Sequence, residues 1–449
     1  MVSTKPPSGM RDYLPEAVYK RRYVIEVIER VFQRYGFHPL ETPAMEHLST
    51  LLGKYGEEGD QLIFRILHRG ERLTRALAKV HPEVADLAEL GLRYDLTVPL
   101  ARVVAQYGHA LPRIFKRYQI QPVWRADRPA KGRFREFYQC DVDIVGTSSL
   151  LAEVEVLNAV SEVLGELGFQ RFTIALNHRV LLRSMLEAAG VAAEQEEAAL
   201  VAIDKLDKIG PAGVEAELRA RGLSAAVATR LLAMIGGEAG TDNTERLKVL
   251  RDLLPAAPAQ AALADLERLL VLTADAPAGP HLRLTPALAR GLSYYTGPIF
   301  EILCEELRSS LGGGGRYDNL IGMFSGKQVP AVGFSLGLER LLLLMEAEQM
   351  FPPLRLTAQV MVCALPDTPL APVIALATRL RRAGIRADLY PEQSRIGRQL
   401  AAADAQGIPY ALIVGPDELA HQAYTLKHLR SGEQQTLDEA GLIAVLQQA

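Results

Sequence analysis

A run of basic side chains between residues 113 and 135 is the densest chemical signal in the sequence. It holds eight arginines and lysines but a single acidic residue, Asp127. Arginine suits phosphate because its planar guanidinium donates paired hydrogen bonds. Apolar neighbours such as Val123, Phe134 and Phe137 would fix the direction of a hairpin that carries the run. The run predicts phosphate binding, and a solvated charged hairpin is the alternative that spacing alone leaves open. The basic residues are Arg113, Lys116, Arg117, Arg125, Arg128, Lys131, Arg133 and Arg135.

Three shorter segments combine glycines with polar or aromatic side chains. Pro330–Arg340 reads as a glycine-rich strand feeding a helix, so a planar ligand could lie against the backbone under Arg340. Arg290–Gly297 contains a tyrosine pair, and Gly312–Asp318 opens with four glycines that favour close backbone approach. Each segment also has a purely structural alternative. Pro330–Arg340 could be a tight strand-to-helix packing site, Arg290–Gly297 a strand end with surface tyrosines, and Gly312–Asp318 a flexible turn.

Several common kinds of site are excluded by the sequence. It contains no GxxxxGK[ST] and no GxGxxG after a strand, which disfavours a P-loop or Rossmann nucleotide site. The three cysteines, Cys140, Cys304 and Cys363, are far apart, so neither a disulfide framework nor a structural zinc site is expected. No HExxH occurs among the nine histidines. We therefore predict no resident metal site.

Composition describes an ordinary globular chain. Its 449 residues are 49% hydrophobic and 23% charged, which predicts two or three domains. The net charge of -3 gives no overall basic signal for nucleic acid, although local patches decide recognition. Met1–Arg11 lacks the apolar core of a signal peptide, and no long apolar run predicts a membrane span. We expect a cytoplasmic location and no membrane partner.

The periodicity indicates which elements position these segments. Apolar residues at helical spacing predict a helix over 18–35 that ends at Gly36. Residues 123–145 read as two strands joined by a polar loop, and such a long antiparallel hairpin is not part of a βαβ alternation. Further strands are predicted at residues 37–43, 63–68, 91–98, 282–284 and 298–303, and a further helix within 332–348.

The chain divides into three predicted parts. Residues 178–276 are rich in Ala, Leu and Glu with helical periodicity, and strand patterns return after them. This predicts an α+β class with an antiparallel sheet and flanking helices, formed by residues 1–177 and 277–348, with 178–276 as a helical insertion domain. Residues 355–449 alternate between strand and helix, which predicts a compact α/β domain. Its predicted strands are 359–364, 386–390, 410–414 and 423–428, and its helices 372–383 and 396–406.

The ordered motifs resemble those of class II aminoacyl-tRNA synthetases. Helix 18–35 with Pro43 resembles motif 1, the usual dimerisation element, and residues 125–139 resemble motif 2. Pro330–Arg340 resembles motif 3. Arg290–Gly297 and Gly313–Asp318 resemble the two signature peptides of histidyl-tRNA synthetases, and the resemblance runs from residue 7 to the C-terminus.

The resemblance implies that ATP is a substrate, used with Mg²⁺ and without an organic cofactor. Arg125 would grip the α-phosphate, Arg133 the outer phosphates, and Arg340 the adenine and γ-phosphate side. Asp127 belongs to the same implied ATP site. Arg290 would lie across the α-phosphate from Arg125, which makes these two the implied catalytic pair. Cations on both sides are needed because the attacking carboxylate and the phosphate are both anions.

A histidine pocket is also implied by the resemblance. Asp95 and Thr97 would meet the amino group, while Asp143 and Tyr295 would read the imidazole nitrogens. A pocket that hydrogen-bonds both ring nitrogens rejects apolar analogues by about 10⁴–10⁵. The implied histidine-binding residues are Asp95, Thr97, Gln139, Asp143, Arg290, Tyr294, Tyr295 and Tyr317.

The implied activity is that of a histidine–tRNA ligase. Histidine would react with ATP to histidyl-adenylate and pyrophosphate, and would then pass to the terminal ribose of tRNA(His). The C-terminal unit, with Arg398, Gln399 and residues 426–433 including Lys427, resembles the family's anticodon-binding domain. A homodimer is expected from motif 1. Histidine, ATP, tRNA(His) and a second copy are thus the expected partners.

Two positions depart from the family pattern, and two rival functions stay open. Ser293 stands where the family usually has Asp or Asn, and Ala130 stands where many bacterial relatives have the Gln associated with reading the tRNA acceptor end. The main rival is a synthetase-like, histidine-binding regulatory subunit of ATP phosphoribosyltransferase. Such subunits usually lack the C-terminal domain and the signature arginine. A ligase paralogue acting on a non-tRNA acceptor is the other.

Overall fold

The chain divides into two units, Met1–Phe351 and Pro352–Ala449. The computed structural model describes residues 3–130, 132–236, 242–289, 294–304, 307–354 and 357–448, the side chains of 57, 58, 207 and 307–309 excepted. Among these residues, no helix has both the length and the apolar character that crossing a membrane requires.

The first unit is built on a large, mainly antiparallel sheet. In the described residues this sheet has eight strands in the order β1-β5-β6-β11-β10-β9-β7-β8, and β2, β4 and β3 form a second, smaller sheet. Only the outermost pairs of the large sheet, β1 with β5 and β7 with β8, run parallel. The predicted α+β class with an antiparallel sheet is confirmed. The strands are β1 (His38–Pro39), β2 (Met45–His47), β3 (Arg65–Leu67), β4 (Ala88–Leu92), β5 (Phe115–Trp124), β6 (Glu136–Val145), β7 (Phe172–His178), β8 (Leu282–Leu284), β9 (Pro298–Cys304), β10 (Leu307–Arg316) and β11 (Ala331–Gly337).

Helices flank this sheet, and many of them fall between β7 and β8. The buried side chains of α8 to α13 belong to the same continuous core as those of the sheet. That these helices form a separate insertion domain with bounds 178–276 stays a prediction. The helices are α1 (Pro15–Arg34), α2 (Leu48–Leu51), α3 (Gly56–Gln61), α4 (Gly70–Leu77), α5 (Val84–Leu87), α6 (Thr97–Tyr107), α7 (Leu151–Glu166), α8 (Arg179–Ala189), α9 (Glu196–Ile203), α10 (Leu206–Ala220), α11 (Ala225–Gly236), α12 (Asn243–Leu253), α13 (Ala257–Thr273), α14 (Gly322–Ser325) and α15 (Leu338–Ala347).

The centre of the large sheet has one apolar face and one polar face. Alternate residues of a strand point to opposite faces. On β6, Cys140, Val142 and Ile144 are therefore turned to one side, where they join the buried core with side chains of α1 and α7. Gln139, Asp141 and Asp143 of the same strand are turned to the other side. This alternation places a row of polar groups on the sheet surface opposite the helices.

The consecutive glycines lie in the middle of β10, so the flexible-turn interpretation is wrong and the prediction of close backbone approach is confirmed. A Cβ on Gly314 would lie 2.0 Å from the carbonyl oxygen of Gly333, and one on Gly312 would lie 2.3 Å from that of Ser335. Both neighbours are backbone atoms of the paired strand β11. Side chains at these positions would therefore force the two strands apart.

Three predicted strands have different bounds in the structure. The hairpin predicted at 123–145 begins earlier, because β5 already pairs with β6 from Phe115. The strand predicted over 37–43 contains only β1. The strand predicted over 91–98 ends at Leu92, and α6 begins at Thr97. The strand-like pattern there is overridden because Asp95 Oδ1 accepts a hydrogen bond of 3.0 Å from the backbone N–H of Val98, in the first turn of α6.

The second unit is a five-stranded sheet in the described residues, with the order β13-β12-β14-β15-β16. Strands β13, β12 and β14 are parallel, and β15 and β16 are antiparallel to their neighbours. The predicted strands and helices are all present within one or two residues of their bounds, while α18, β16 and α19 were not predicted. The elements are β12 (Val360–Ala364), α16 (Leu370–Arg382), β13 (Ala387–Leu389), α17 (Ile396–Ala405), β14 (Tyr410–Val414), α18 (Pro416–His421), β15 (Tyr424–His428), β16 (Gln434–Leu437) and α19 (Glu439–Gln447).

The glycine row makes a prediction about stability. Gly314→Ala should destabilise the first unit by about 1–3 kcal/mol or more, because the new methyl group meets backbone on the paired strand. Gly165→Ala is the matched control: Gly165 lies in α7, where a Cβ would meet no atom within 4 Å. Alanine there should be neutral or stabilising by up to about 1 kcal/mol. Urea unfolding of both variants measures this, and equal midpoints would contradict the prediction.

Candidate active site

The polar row on β6 is completed by side chains of the two neighbouring strands. Arg117 of β5 pairs in register with Asp143, and Gln119 pairs with Asp141. On the other side, Gly333 of β11 lies opposite Asp143 and Ser335 lies opposite Asp141. Polar groups of three adjacent strands thus meet on one face of the sheet.

Asp143 is held on three sides. Its Oδ2 lies 2.9 Å from Nη2 of Arg117 in a wholly buried ion pair, and its Oδ1 accepts a hydrogen bond from the Tyr317 hydroxyl. A Cβ on Gly333 would lie 1.9 Å from Oδ1, so only glycine leaves room for the carboxylate. Arg117 is therefore an internal partner of Asp143, and its inclusion in a phosphate-binding surface was wrong.

Asp95 lies buried beside the N-terminus of α6. Its Oδ1 accepts hydrogen bonds of 3.0 Å from both the Tyr55 hydroxyl and the Val98 N–H. Burial raises the pKa of Asp95, while these hydrogen bonds and the charge of Arg125 oppose the shift. Burial likewise raises the pKa of Tyr55 well above its usual value, so the phenol remains a hydrogen-bond donor. Tyr55 was not identified from the sequence.

Three tyrosine rings lie close to one another at this site. The rings of Tyr294 and Tyr295 lie 5.0 Å apart, and those of Tyr294 and Tyr317 lie 6.0 Å apart. Burial raises the pKa of Tyr294, and a side-chain hydrogen bond with Thr97 opposes this rise. The negative charge of Asp95 also raises the pKa of Tyr294. The structure thus brings the described members of the implied histidine site together.

Several buried oxygens in this pocket have no hydrogen-bond donor among the described residues. They include Asp95 Oδ2, Gln139 Oε1 and Asp141 Oδ1. The amide nitrogen of Gln139 is occupied, since it donates to Ser335 Oγ at 2.9 Å. Buried acceptors are nearly always satisfied in folded proteins. A ligand that brings several N–H groups would match this arrangement.

Asp141 is a second residue of this site that was not identified from the sequence. It lies between Gln139 and Asp143 in the row, and its Oδ2 lies 3.8 Å from Nη2 of Arg117. Burial raises the pKa of Asp141 to about 7, which the charge of Arg117 opposes. Burial also raises the pKa of Asp143. The i, i+2 spacing of the three polar residues was the signal that could have identified it.

The implied ATP residues lie on the loop after β5 and at the start of α15. Arg125 is half-buried: its Nε donates to the Tyr94 carbonyl at 3.1 Å, and its guanidinium lies 4.2 Å from the centre of the Tyr94 ring. Arg133 is exposed at the hairpin tip, where its backbone pairs with Ala130. Half-buried Arg340 donates to the carbonyl oxygen of Ser310.

Asp127 contributes its backbone to the loop, since its carbonyl oxygen accepts a hydrogen bond of 3.0 Å from Arg135 Nε. Arg290 and Ser293 lie outside the described residues. The segment leading to Arg290 is anchored, because Asn177 Nδ2 donates to the carbonyl oxygens of Pro286 and Leu288 at 2.9 and 3.0 Å.

In the second unit, Gln399 is buried and donates to the carbonyl oxygens of Ala364 and Ser394 at 2.8 and 2.7 Å. It therefore braces the fold rather than offering a surface contact. Arg398 is exposed and lies 3.3 Å from Glu392. Part of the predicted segment 426–433 borders an open cleft. The cleft is lined by Tyr410, Leu426, His428, Ser431, Glu433 and Gln435.

Comparison with known proteins extends over the whole chain. A histidyl-tRNA synthetase family model matches residues 9–341, and an anticodon binding domain model matches residues 359–449. A histidine–tRNA ligase of Christiangramia forsetii is 41% identical over 469 residues, covering 98% of both chains. One of Cytophaga hutchinsonii is 42% identical over 440 residues, covering 95% of this chain and 96% of its own. The crystal structure of histidyl-tRNA synthetase from a Nostoc species is 30% identical, covers 100% of both chains and superposes with a TM-score of 0.82.

The raised pKa of Asp141 predicts a pH dependence of stability. Between the ordinary carboxyl range and about pH 7, the folded state holds a proton on Asp141 that the unfolded chain has lost. This contribution to stability is therefore lost as pH rises through about 7. Asp141→Asn should reduce the fall in thermal midpoint between about pH 5 and about pH 8.

Thermal unfolding of the wild type and Asp141→Asn across this range measures the effect. Asp252→Asn, on the exposed side of α12, is the control and should leave the wild-type slope unchanged. Parallel curves for the wild type and Asp141→Asn would show that the Asp141 carboxyl ionises in the folded state as it does in the unfolded chain.

Proposed function

Because the chain belongs to the histidyl-tRNA synthetase family, we propose that the pocket on its polar sheet face is where histidine reacts with ATP. The chain is an aminoacyl-tRNA ligase: it activates histidine to histidyl-adenylate with release of pyrophosphate, and then transfers histidine to the terminal ribose of its tRNA. The observation that carries the proposed site is the row of buried oxygens without a described donor at Asp95, Gln139 and Asp141.

Histidine supplies the donors that these oxygens need. We assign its ammonium group to Asp95 and Gln139, with Thr97 beside them, because a buried carboxylate and amide oxygen suit a cation with three N–H donors. The imidazole is assigned to Asp143 and Tyr295. Tyr317 donates to Asp143, so its proposed role is to orient that carboxylate rather than to contact histidine directly.

The arginines of the loop and of α15 are assigned to ATP. Arg125 and Arg290 would lie on either side of the α-phosphate. Their positive charges would reduce the repulsion between the phosphate and the carboxylate that attacks it. Arg133 would hold the outer phosphates, and Arg340 the adenine side. Tyr94 supports this role, because its carbonyl oxygen and its ring hold the guanidinium of Arg125 in one position at the loop.

Mg²⁺ is proposed to arrive with the ATP phosphates. Among the described residues, no group of three or more His, Cys, Asp or Glu side chains could hold a metal ion by itself. Magnesium commonly keeps several waters and binds nucleotide phosphates through few protein ligands. We therefore assign no residue of this chain to the ion.

The second unit is assigned to the anticodon of tRNA(His). Its cleft offers the aromatic pair Tyr410 and His428, with ring centres 4.9 Å apart, beside the polar groups of Glu433 and Gln435. Unpaired RNA bases are recognised by aromatic contact together with hydrogen bonds to their edges. A homodimer formed through the α1 region is also proposed, on the resemblance to motif 1.

Activation is tested by exchange of labelled pyrophosphate into ATP. Exchange should require histidine and Mg²⁺, and Arg125→Ala should lower its rate by about 10²–10³, since one preorganised donor is lost from the transition state. Arg75→Ala, an exposed arginine of α4, is the matched control and should exchange like the wild type.

Exchange stimulated equally by several amino acids would overturn the histidine assignment. Histidine binding without any exchange would instead favour the regulatory-subunit rival. That rival is disfavoured by the match of residues 359–449 to an anticodon binding domain, which such subunits usually lack.

The cleft makes a prediction about tRNA. Gln435→Ala should raise the KM for tRNA in charging by roughly 2- to 10-fold, as expected for one lost hydrogen bond, and leave histidine-dependent exchange unchanged. Gln434→Ala is the matched control, because Gln434 points to the opposite face of β16. Equal KM values for tRNA in the two variants would remove the cleft from the tRNA interface.

A further inference from the structure

The segment 8–13 before α1, here called the N-terminal strap, lies against the loop that carries Arg133. The backbone N–H of Arg135 donates to the Gly9 carbonyl at 2.8 Å, and Arg135 Nη1 lies 3.4 Å from the Ser8 carbonyl. Gly9 adopts a φ of 81°, and a Cβ there would lie 2.7 Å from Cγ of Arg135. The strap thus follows the end of the loop at a distance that only glycine permits.

Arg11 extends this contact with its side chain. Its guanidinium lies 3.9 Å from the centre of the Phe134 ring, and its Nε donates to the Tyr13 hydroxyl at 2.9 Å. Phe134 directly follows Arg133 in the chain. A cation over an aromatic face is attracted by the ring quadrupole, so Arg11 ties this part of the loop to Tyr13.

Tyr13 in turn reaches the start of α15. Its hydroxyl donates to Oε1 of Glu339 at 3.3 Å. Glu339 is buried, pairs with Arg21 of α1 at 2.9 Å, and accepts a 2.9 Å hydrogen bond from the backbone N–H of Tyr138. Glu339 immediately precedes Arg340. One short segment therefore connects the neighbour of Arg133 with the neighbour of Arg340.

We propose that the N-terminal strap positions the two ends of the ATP site relative to each other, with Arg11 and Tyr13 as positioning residues. This rests on the proposed function, because Arg133 and Arg340 are assigned there to ATP. A ligand held at two ends binds best when the protein groups that hold those ends are already correctly spaced, since less conformational freedom of the protein is lost on binding. Arg11 and Tyr13 act through Phe134 and Glu339.

Tyr13→Phe is the most selective test, because it removes the hydroxyl shared by Arg11 and Glu339 and keeps the ring. In histidine-dependent pyrophosphate exchange with the full chain, we expect the KM for ATP to rise roughly 2- to 10-fold. The KM for histidine should stay within about twofold, since the histidine pocket lies on the sheet face. Tyr19→Phe, an exposed tyrosine of α1, is the matched control and should change neither KM.

Arg11→Ala is an independent second variant that should raise the KM for ATP in the same way. Arg11→Lys should restore part of the effect, because a lysine keeps a cation near Phe134 but loses the Nε donor. Calorimetric titration of the wild type and both variants with ATP alone should show the same weakening. Thermal midpoints are measured alongside.

An unchanged KM for ATP in Tyr13→Phe and Arg11→Ala would overturn the proposal. So would a lower thermal midpoint with equal rises in both KM values, which is the pattern of a purely structural role. Arg133→Ala tests the assignment of Arg133 to ATP independently of the strap. If it raises the KM for ATP while the strap variants do not, only the strap proposal fails. If the wild type lacks histidine-dependent exchange, the proposed function fails, and the ATP titrations still decide the strap.

Discussion

A buried ion pair between Arg117 and Asp143 makes the polar face of the sheet possible. Removing two charges from water costs several kcal/mol for each ion, and the structure offsets this cost with contact at 2.9 Å and a further hydrogen bond from Tyr317. The same guanidinium lies 3.8 Å from Asp141, so a single cation serves two carboxylates. The pocket is consequently rich in acceptors, which is the property that a ligand with several N–H donors requires.

Burial separates the arginines that hold the fold from those available to a ligand. Arg21 pairs with Glu339, and Arg316 pairs with Glu153 at 2.6 Å, and all four side chains are largely buried. These pairs connect α1 with α15 and β10 with α7. Arg133 is exposed, by contrast. A buried arginine that is already paired with a carboxylate inside the protein is not available to bind a phosphate.

The structure joins segments that lie far apart in sequence at a few buried polar contacts. Glu339 forms an ion pair with Arg21 of α1, and it accepts hydrogen bonds from the hydroxyl of Tyr13 and from a backbone N–H of β6. Arg93 similarly donates to the carbonyl oxygens of Thr42 and Pro122 at 2.6 and 2.9 Å. Polar contacts of this kind need several correct partners at once, which favours one arrangement of the strands and loops over others.

The sequence by itself determined the class of fold, most elements of the second unit and the family to which the chain belongs, because periodicity and motif spacing are local properties of the chain. Only the tertiary structure decided which basic residues are buried in ion pairs within the protein. Arg117 looked like part of a phosphate-binding run, yet the register of β5 on β6 buries it against Asp143. The place of Asp141 in the pocket and the partnership of Tyr55 with Asp95 depend in the same way on strand register and packing, which bring together residues that no local pattern relates.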